Sequence, residues 1–371
     1  MRVAMFTDSF LPNTDGVVSS ILSYRKGMSK GGHRMFVFAP QAATHNHESG
    51  VFRFRSVQFP PYPEYRAAVF PHVSSSIASE LKLDLVHSKA MMTMGISAAW
   101  FAKKVGLPSM ASLETLVPEG AHYVIPIRHA QGLGKAAAWA YLRWLYCQFD
   151  LVTSPSSYAQ SLMRSHGIES IVLPSPIDTQ RFRPASAAKA KESLGLTGKK
   201  VVLSIGRIVK EKNYSLLVQA AANMKGRNCI FVIAGKGPHL HALQSEVAAN
   251  NLQAAFRFPG FVPDSKLPDY YNAADVFAFP SHFETQGLTH LEAMACGKPA
   301  CVLEGTPMAE VISPGKNGQL FSGEPTDCAD KLLSCLSRSE KMSSAARKTA
   351  LGFSIPKCTK RLVAVYKKLL R

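Results

Sequence analysis

The sequence predicts an α/β protein of two doubly wound, Rossmann-like domains facing a central cleft. Three observations carry that expectation. The 371 residues exceed what one hydrophobic core usually serves. Short apolar runs rich in Val, Ile and Phe alternate with longer helical patterns, as parallel βαβ units do. Each half also opens in the same manner, with a strand running into a glycine-bearing loop, TDSFLPNTDG in the first and SIGRIVKEKN in the second.

Strands are expected in the first half at 2–7, 34–39, 84–87, 109–112, 150–153 and 170–173, and in the second at 200–205, 229–234, 275–279 and 299–302. Helical patterns at 17–30, 92–105, 136–148, 213–224, 238–249, 288–296, 325–337 and 355–370 fill the gaps. The segment LPSPIDTQRFRPAS (173–186) loses hydrophobic period and holds three prolines, which marks a linker. The expected domains are therefore 1–177 and 178–354. The helix at 355–371 follows a proline-marked break and is a candidate for packing back on the N-terminal domain.

The formal charge of +18 and pI near 9.7 call for an anionic partner. Through Asp178 there are 16 Lys+Arg against 11 Asp+Glu, and beyond it 27 against 14, so the excess lies mainly in the second half. The longest basic clusters are pairs such as Lys103-Lys104, Lys199-Lys200 and Lys367-Lys368, which argues against nucleic acid as the partner. Seven cysteines without a CxxC pair fit a reducing cytoplasm and argue against structural zinc. The opening MRVAMFTDSF reads as a first strand and not as a signal peptide. The most lipid-like stretch, KAAAWAYLRWLYCQF (135–149), is interrupted by Arg143 and falls short of the roughly 20 apolar residues that a span requires. Any membrane contact is expected to be peripheral.

The strongest segment for chemistry is SHFETQGLTHLEAMACGKP (281–299), after the strand DVFAFP. Gly287 ends a loop and Leu288 begins a helix, so their backbone N–H groups suit an anionic phosphate. Glu284 before the helix and Glu292 within it are placed to accept hydrogen bonds from sugar or ribose hydroxyls. The plain alternative is that both acids cap the helix terminus. Gly206, Arg207 and Lys212 follow the first strand of the second half, Arg207 offering a planar fork and Lys212 a point charge to a diphosphate, the alternative being a solvated basic turn. The turn GKGP (235–238) brings Lys236 as a third cation, unless it is only a β-turn. In the first half, Gly16 is a candidate for close approach of the backbone to a ligand, turn formation alone being the alternative. Glu114 and His122 in ASLETLVPEGAHYVIP follow a strand end on the acceptor side, a structural role being the alternative for the histidine. No Asp-x-Asp clamp for a metal is present.

Jointly these segments resemble the retaining glycosyltransferases of family 4, which have the GT-B fold. The resemblance spans FTDSFLPNTDGVVSSI, DLVHS, FDLVTSPSSYAQSLM, VLPSPIDTQRFRP, SIGRIVKEKN, VIAGKGP, FPGFVP and the Glu284-to-Glu292 segment. The wording ETQGLT is similar to that of the diacylglycerol glycosyltransferases. The resemblance implies that Arg207 and Lys212 hold the donor diphosphate and that Glu292 binds the ribose. It assigns Glu284 to sugar hydroxyls, Gly287 and Leu288 to backbone bonds, and Gly16 to the diphosphate from the other domain. In one departure, Glu114-Thr115 stands where relatives commonly have a histidine-threonine pair beside the sugar.

The expected activity is transfer of a hexose from a nucleoside diphosphate sugar, without metal or other cofactor, to a hydroxyl acceptor such as a glycerolipid. Location is expected in the cytoplasm, with an anionic membrane surface as a candidate contact for Trp139, Trp144, Arg143 and VQFPPYPEYRAAVF (57–70), the alternative for the two tryptophans being the core of a buried helix. Alternatives are a soluble or polysaccharide acceptor, or a nucleotide-sugar epimerase or hydrolase on the same fold.

Overall fold

A computed structural model describes residues 1–42, 48–59, 65–116 and 128–371, the side chains at 128–131 apart. These residues form two units, Met1–Pro176 together with Ile355–Arg371, and Ile177–Ser354.

The first unit contains β1 (Arg2–Phe6), β2 (Arg34–Pro40), β3 (Val51–Phe54), β4 (Ser56–Gln58), β5 (Arg66–Ala68), β6 (Leu85–Ser88), β7 (Ser109–Ser112), β8 (Leu151–Ser154) and β9 (Ile171–Val172). All but β4 and β5 join one parallel sheet in the order β3-β2-β1-β6-β7-β8-β9, while β4 and β5 pair as a small antiparallel hairpin. Strands buried on both faces need apolar side chains at successive positions, and Val3 to Phe6 are all fully buried. Phe6 stacks on Phe38 at 4.7 Å and Phe38 on Phe52 at 4.8 Å, which locks β1, β2 and β3 together.

The helix Gly16–Lys30 starts where the Asp15 carboxylate accepts the Val18 amide at 2.9 Å. Against it lies the last helix, Ile355–Leu369. At Gly27 the two pack tightly, and a Cβ there would stand 2.0 Å from Thr359 Oγ1. Deeper in, the Tyr366 hydroxyl meets His87 Nδ1 at 2.6 Å and His87 Nε2 meets Ser112 Oγ at 2.7 Å. Burial holds the His87 pKa well below its ordinary value, so the ring is neutral.

The second unit holds a six-stranded parallel sheet of β10 (Lys200–Ile205), β11 (Cys229–Ala234), β12 (Phe256–Gly260), β13 (Val276–Phe279), β14 (Ala300–Leu303) and β15 (Gly318–Phe321). Its order is β12-β11-β10-β13-β14-β15. In both sheets the chain reverses its direction of growth beside the first strand, between β1 and β6 and between β10 and β13. Open α/β sheets take their ligands at the carboxyl ends of the strands flanking such a reversal.

Among the described residues, five strands and five helices escape the hydrophobic-period reading. Strands β3, β4, β5 and β15 are only three or four residues long, and β12 contains Pro259, a residue confined to edge strands. Helices Ser76–Glu80, Ser157–Ser165, Ala187–Ser193, Leu267–Ala273 and Ser339–Ala350 are short or strongly polar. The two tryptophans paired in the sequence reading part company. Trp139 is 3% exposed and stacks on His166 at 4.2 Å, whereas Trp144 is 49% exposed. Among the described residues no helix is long and apolar enough to cross a membrane.

Candidate functional site

At the reversal in the second sheet, two glycine loops lie backbone to backbone. Gly206 N donates to Ala234 O at 3.0 Å, Ile208 N to Lys236 O at 2.9 Å and His239 N to Ile208 O at 3.1 Å. A Cβ on Gly235, where φ is +148°, would stand 1.9 Å from Gly206 O, and one on Gly237 would stand 2.1 Å from Ile208 O. GKGP is therefore more than a β-turn. Its glycines let the loop after β11 press against the loop after β10, which carries Arg207 and Lys236 on adjacent segments. Both side chains are exposed.

Beyond Arg207 the chain makes a 3-10 turn, Lys210–Lys212, and passes through Asn213 in the left-handed region before the helix Tyr214–Asn223. That turn delivers Lys212 to the loop after β13. Its ammonium donates to Phe283 O at 3.0 Å and to the Glu284 carboxylate, and it stands 5.5 Å from the centre of the Phe279 ring. Asn213 Nδ2 and His282 Nε2 meet at 3.3 Å, which ties the same two loops again. Lys212 and Glu284, chosen separately on the sequence, are thus one ion pair across the reversal.

Gly287 has φ +76°, and a Cβ there would meet Met308 Cγ at 3.0 Å and His290 Nδ1 at 3.1 Å, so both conformation and space call for glycine. Leu288 is the N-cap of the helix Thr289–Ala295, and no side chain caps it. Its first amides therefore present donors without an intrahelical acceptor. Glu292 is partly buried and accepts the Tyr271 hydroxyl at 2.6 Å. Burial pushes its carboxyl up to about 7, against the pull of the Tyr271 hydrogen bond. Glu284 and Glu292 therefore have different partners, a cation and a phenol. His290, 1% exposed, has neither ring nitrogen bonded among the described residues, and burial lowers its pKa to about 3.

In the first unit, Gly16 is the first residue of its helix. The loop before it is held by Ser9 Oγ donating to Asp15 Oδ2 at 2.6 Å and Asn13 Nδ2 donating to Ser9 Oγ at 3.2 Å. Glu114 lies two residues past β7 and pairs with Lys89, the residue after β6. His122 lies outside the described residues. Sequence reasoning passed over Lys89, Tyr271, Phe279 and His290. Only Lys89 offered a signal, as a charge directly after the strand DLVHS.

Two parallel-sheet units of this kind define the GT-B class. Solved structures with the same fold include Anabaena HepE in complex with UDP and glucose, at TM-score 0.80 and 18% identity over 99% of this chain and 100% of that one. Sucrose-phosphate synthase from Thermosynechococcus elongatus follows at TM-score 0.78 and 18% identity, covering 99% of this chain and 98% of that one. Residues 14–181 match Glycosyltransferase Family 4 and residues 186–350 match glycosyl transferases group 1. An alpha-monoglucosyldiacylglycerol synthase of Streptococcus pneumoniae is 30% identical over 91% of this chain and 78% of its own length. A GDP-mannose-dependent alpha-mannosyltransferase of Mycolicibacterium smegmatis is 26% identical over 100% and 98%. The chain belongs to glycosyltransferase family 4 and is a hexosyltransferase.

Proposed function

We propose that the enzyme transfers a hexose from a nucleoside diphosphate sugar to a hydroxyl of a glycerolipid, with retention at the anomeric carbon. The observation that carries this reading is the Lys212–Glu284 pair at the reversal of the second sheet. An ammonium has three donors. Two are engaged by Phe283 O and Glu284, which leaves one for a phosphate oxygen. Arg207 and the amides of Gly287 and Leu288 add fixed positive charge for the departing diphosphate, with Lys236 on the neighbouring loop as a further cation. Preorganised charge of this kind is the main lever for phosphate departure, so no divalent cation is required. Glu284, oriented by Lys212, accepts from sugar hydroxyls, and Glu292 accepts from the ribose. The acceptor hydroxyl attacks on the face that the diphosphate leaves, and a phosphate oxygen takes its proton.

The lipid acceptor is supported by the name of the pneumococcal relative and by the surface of the first unit. Trp100 and Phe70 are 74% and 94% exposed. Their segments touch, since Thr93 Oγ1 donates to Ala68 O at 2.8 Å and Ser97 Oγ to Pro71 O at 2.7 Å. Lys103 and Lys104 follow Trp100 on the same helix, a combination of aromatic and basic groups that suits a peripheral contact with anionic lipid. The test is a panel of UDP- and GDP-hexoses incubated with membrane lipid extract in EDTA. A glycolipid of increased hexose mass is expected. Turnover only with a soluble acceptor, or a sugar isomer formed without any acceptor, refutes the reading.

A further inference from the structure

The helix Thr289–Ala295 buries His290, Leu291, Ala293, Met294 and Ala295, and His290 is the polar member of that set. The imidazole is 1% exposed, and neither ring nitrogen has a hydrogen-bond partner among the described residues. On packing grounds an aliphatic residue would suit the position better, because replacing an unbonded buried polar group by an apolar one of similar shape is neutral or stabilising. Burial also keeps the ring neutral, so it carries one N–H donor and one bare nitrogen acceptor. A buried polar group in this condition calls for an explanation other than stability.

The neighbours of the ring supply one. A Cβ built on Gly287 would stand 3.1 Å from His290 Nδ1, and 3.0 and 3.2 Å from Cγ and Sδ of Met308. That side of the Gly287 loop is thus lined by an imidazole nitrogen and a thioether. Met308 sits in the 3-10 turn Pro307–Val311, whose entry is tied by Thr306 Oγ1 donating to Leu303 O at 2.7 Å. A thioether has no proton to give, so of these two groups only His290 can donate to the loop. In a trans peptide the N–H and C=O point to opposite sides. When the Gly287 amide turns outward to a phosphate oxygen, the carbonyl of the same peptide turns inward, and an Nδ1–H on the inner side can hold it there.

We propose that His290 is a positioning residue for donor binding, its Nδ1–H donating to the inward carbonyl of the peptide that ends at Gly287 while the amide of that peptide takes a phosphate oxygen. The role rests on the glycosyl-transfer reading and involves residues of the second unit alone. Because the contact forms only with that peptide turned, the hydrogen bonding that the ring forgoes is made good as the donor binds.

The experiment compares wild type, H290L, H290N and R207A. Calorimetry with UDP and with GDP measures affinity, thermal denaturation measures stability, and kcat/KM is read with UDP- and GDP-hexoses on membrane lipid extract. H290L is expected to melt no lower than wild type, yet to bind the nucleoside diphosphate roughly 10-fold more weakly and to lose a similar factor in kcat/KM. H290N carries an amide donor near the position of Nδ1 and is expected to return to within about threefold of wild type. A side chain that only fills space would move stability and affinity together, so a loss of affinity without a loss of stability is the signature of positioning. If H290L does not fold, the histidine 15N spectrum of the wild-type protein decides. The Nδ1 resonance that is missing from H290N is expected to move when UDP or GDP is added. Wild-type affinity and kcat/KM in folded H290L, or an Nδ1 resonance that both nucleotides leave in place, with R207A inactive, overturns the role of His290 alone. Full activity and wild-type nucleotide affinity in R207A overturn the transfer reading beneath it.

Discussion

The ammonium of Lys212 donates to the carboxylate of Glu284, 72 residues away, and to the carbonyl of Phe283 beside it. The pair makes each side chain the other's orienting group. Lys212→Ala and Glu284→Gln are each expected to lower kcat/KM by about 100-fold, the cost of losing one preorganised charge. Their double variant should fall little below the worse single one, because contacting residues are not additive. A double-mutant cycle in kcat/KM checks this, and losses that multiply would show that the two act separately.

Glu292 yields a prediction in pH. Its folded-state pKa is raised to about 7, above the usual 4.5. Between those values the folded chain binds the extra proton, so this group's contribution to stability falls as pH rises from about 4.5 to about 7. Wild type should lose thermal stability across that window relative to Glu292→Gln, by an amount on the order of 2 kcal/mol once partial exposure is discounted. Parallel Tm profiles for the two proteins would contradict the assignment.

His290 gives the opposite sign. Its pKa lies near 3, below the usual 6.5, so the unfolded chain takes up the proton first and this group's contribution to stability falls as pH drops through that range. His290→Leu removes that proton linkage and two unbonded ring nitrogens. The variant should be about 1 kcal/mol more stable at neutral pH and should unfold at lower pH than wild type. Acid titration followed by circular dichroism measures the shift.

Gly27→Ala places a methyl 2.0 Å from Thr359 Oγ1. Overpacking of this kind costs about 1–3 kcal/mol, here at the contact of the last helix with the first unit. Urea denaturation should show the loss, and Gly27→Ala/Thr359→Ala should recover part of it. An unchanged midpoint in the single variant would mean that the helices separate without penalty.

The central sheet strands of each unit were legible because strands covered on both faces must be apolar at successive positions, as in VVLSI and IFVIA. The helix Ser339–Ala350 was not, since SEKMSSAARKTA buries only Met342, Ala346 and Ala350 and so shows little apolar stripe. For the site, glycine and charge at strand ends singled out Gly206, Lys212, Glu284 and Gly287. Nothing local indicated that Lys212 and Glu284 would touch, because that contact depends on β10 lying beside β13. Lys89 went unnoticed for the same reason, since its partner arrives on a different strand.

The first unit is discontinuous, enclosing the whole of Ile177–Ser354 between Pro176 and Ile355. On the ribosome, the enclosed half is synthesised in full before the hydroxyl of Tyr366 can reach His87 or Thr359 can close on Gly27. Domains fold as units once their residues have emerged. The half that is made first is consequently completed last, and a nascent chain stalled before Ile355 would carry a finished C-terminal sheet beside an N-terminal one still lacking its closing helix.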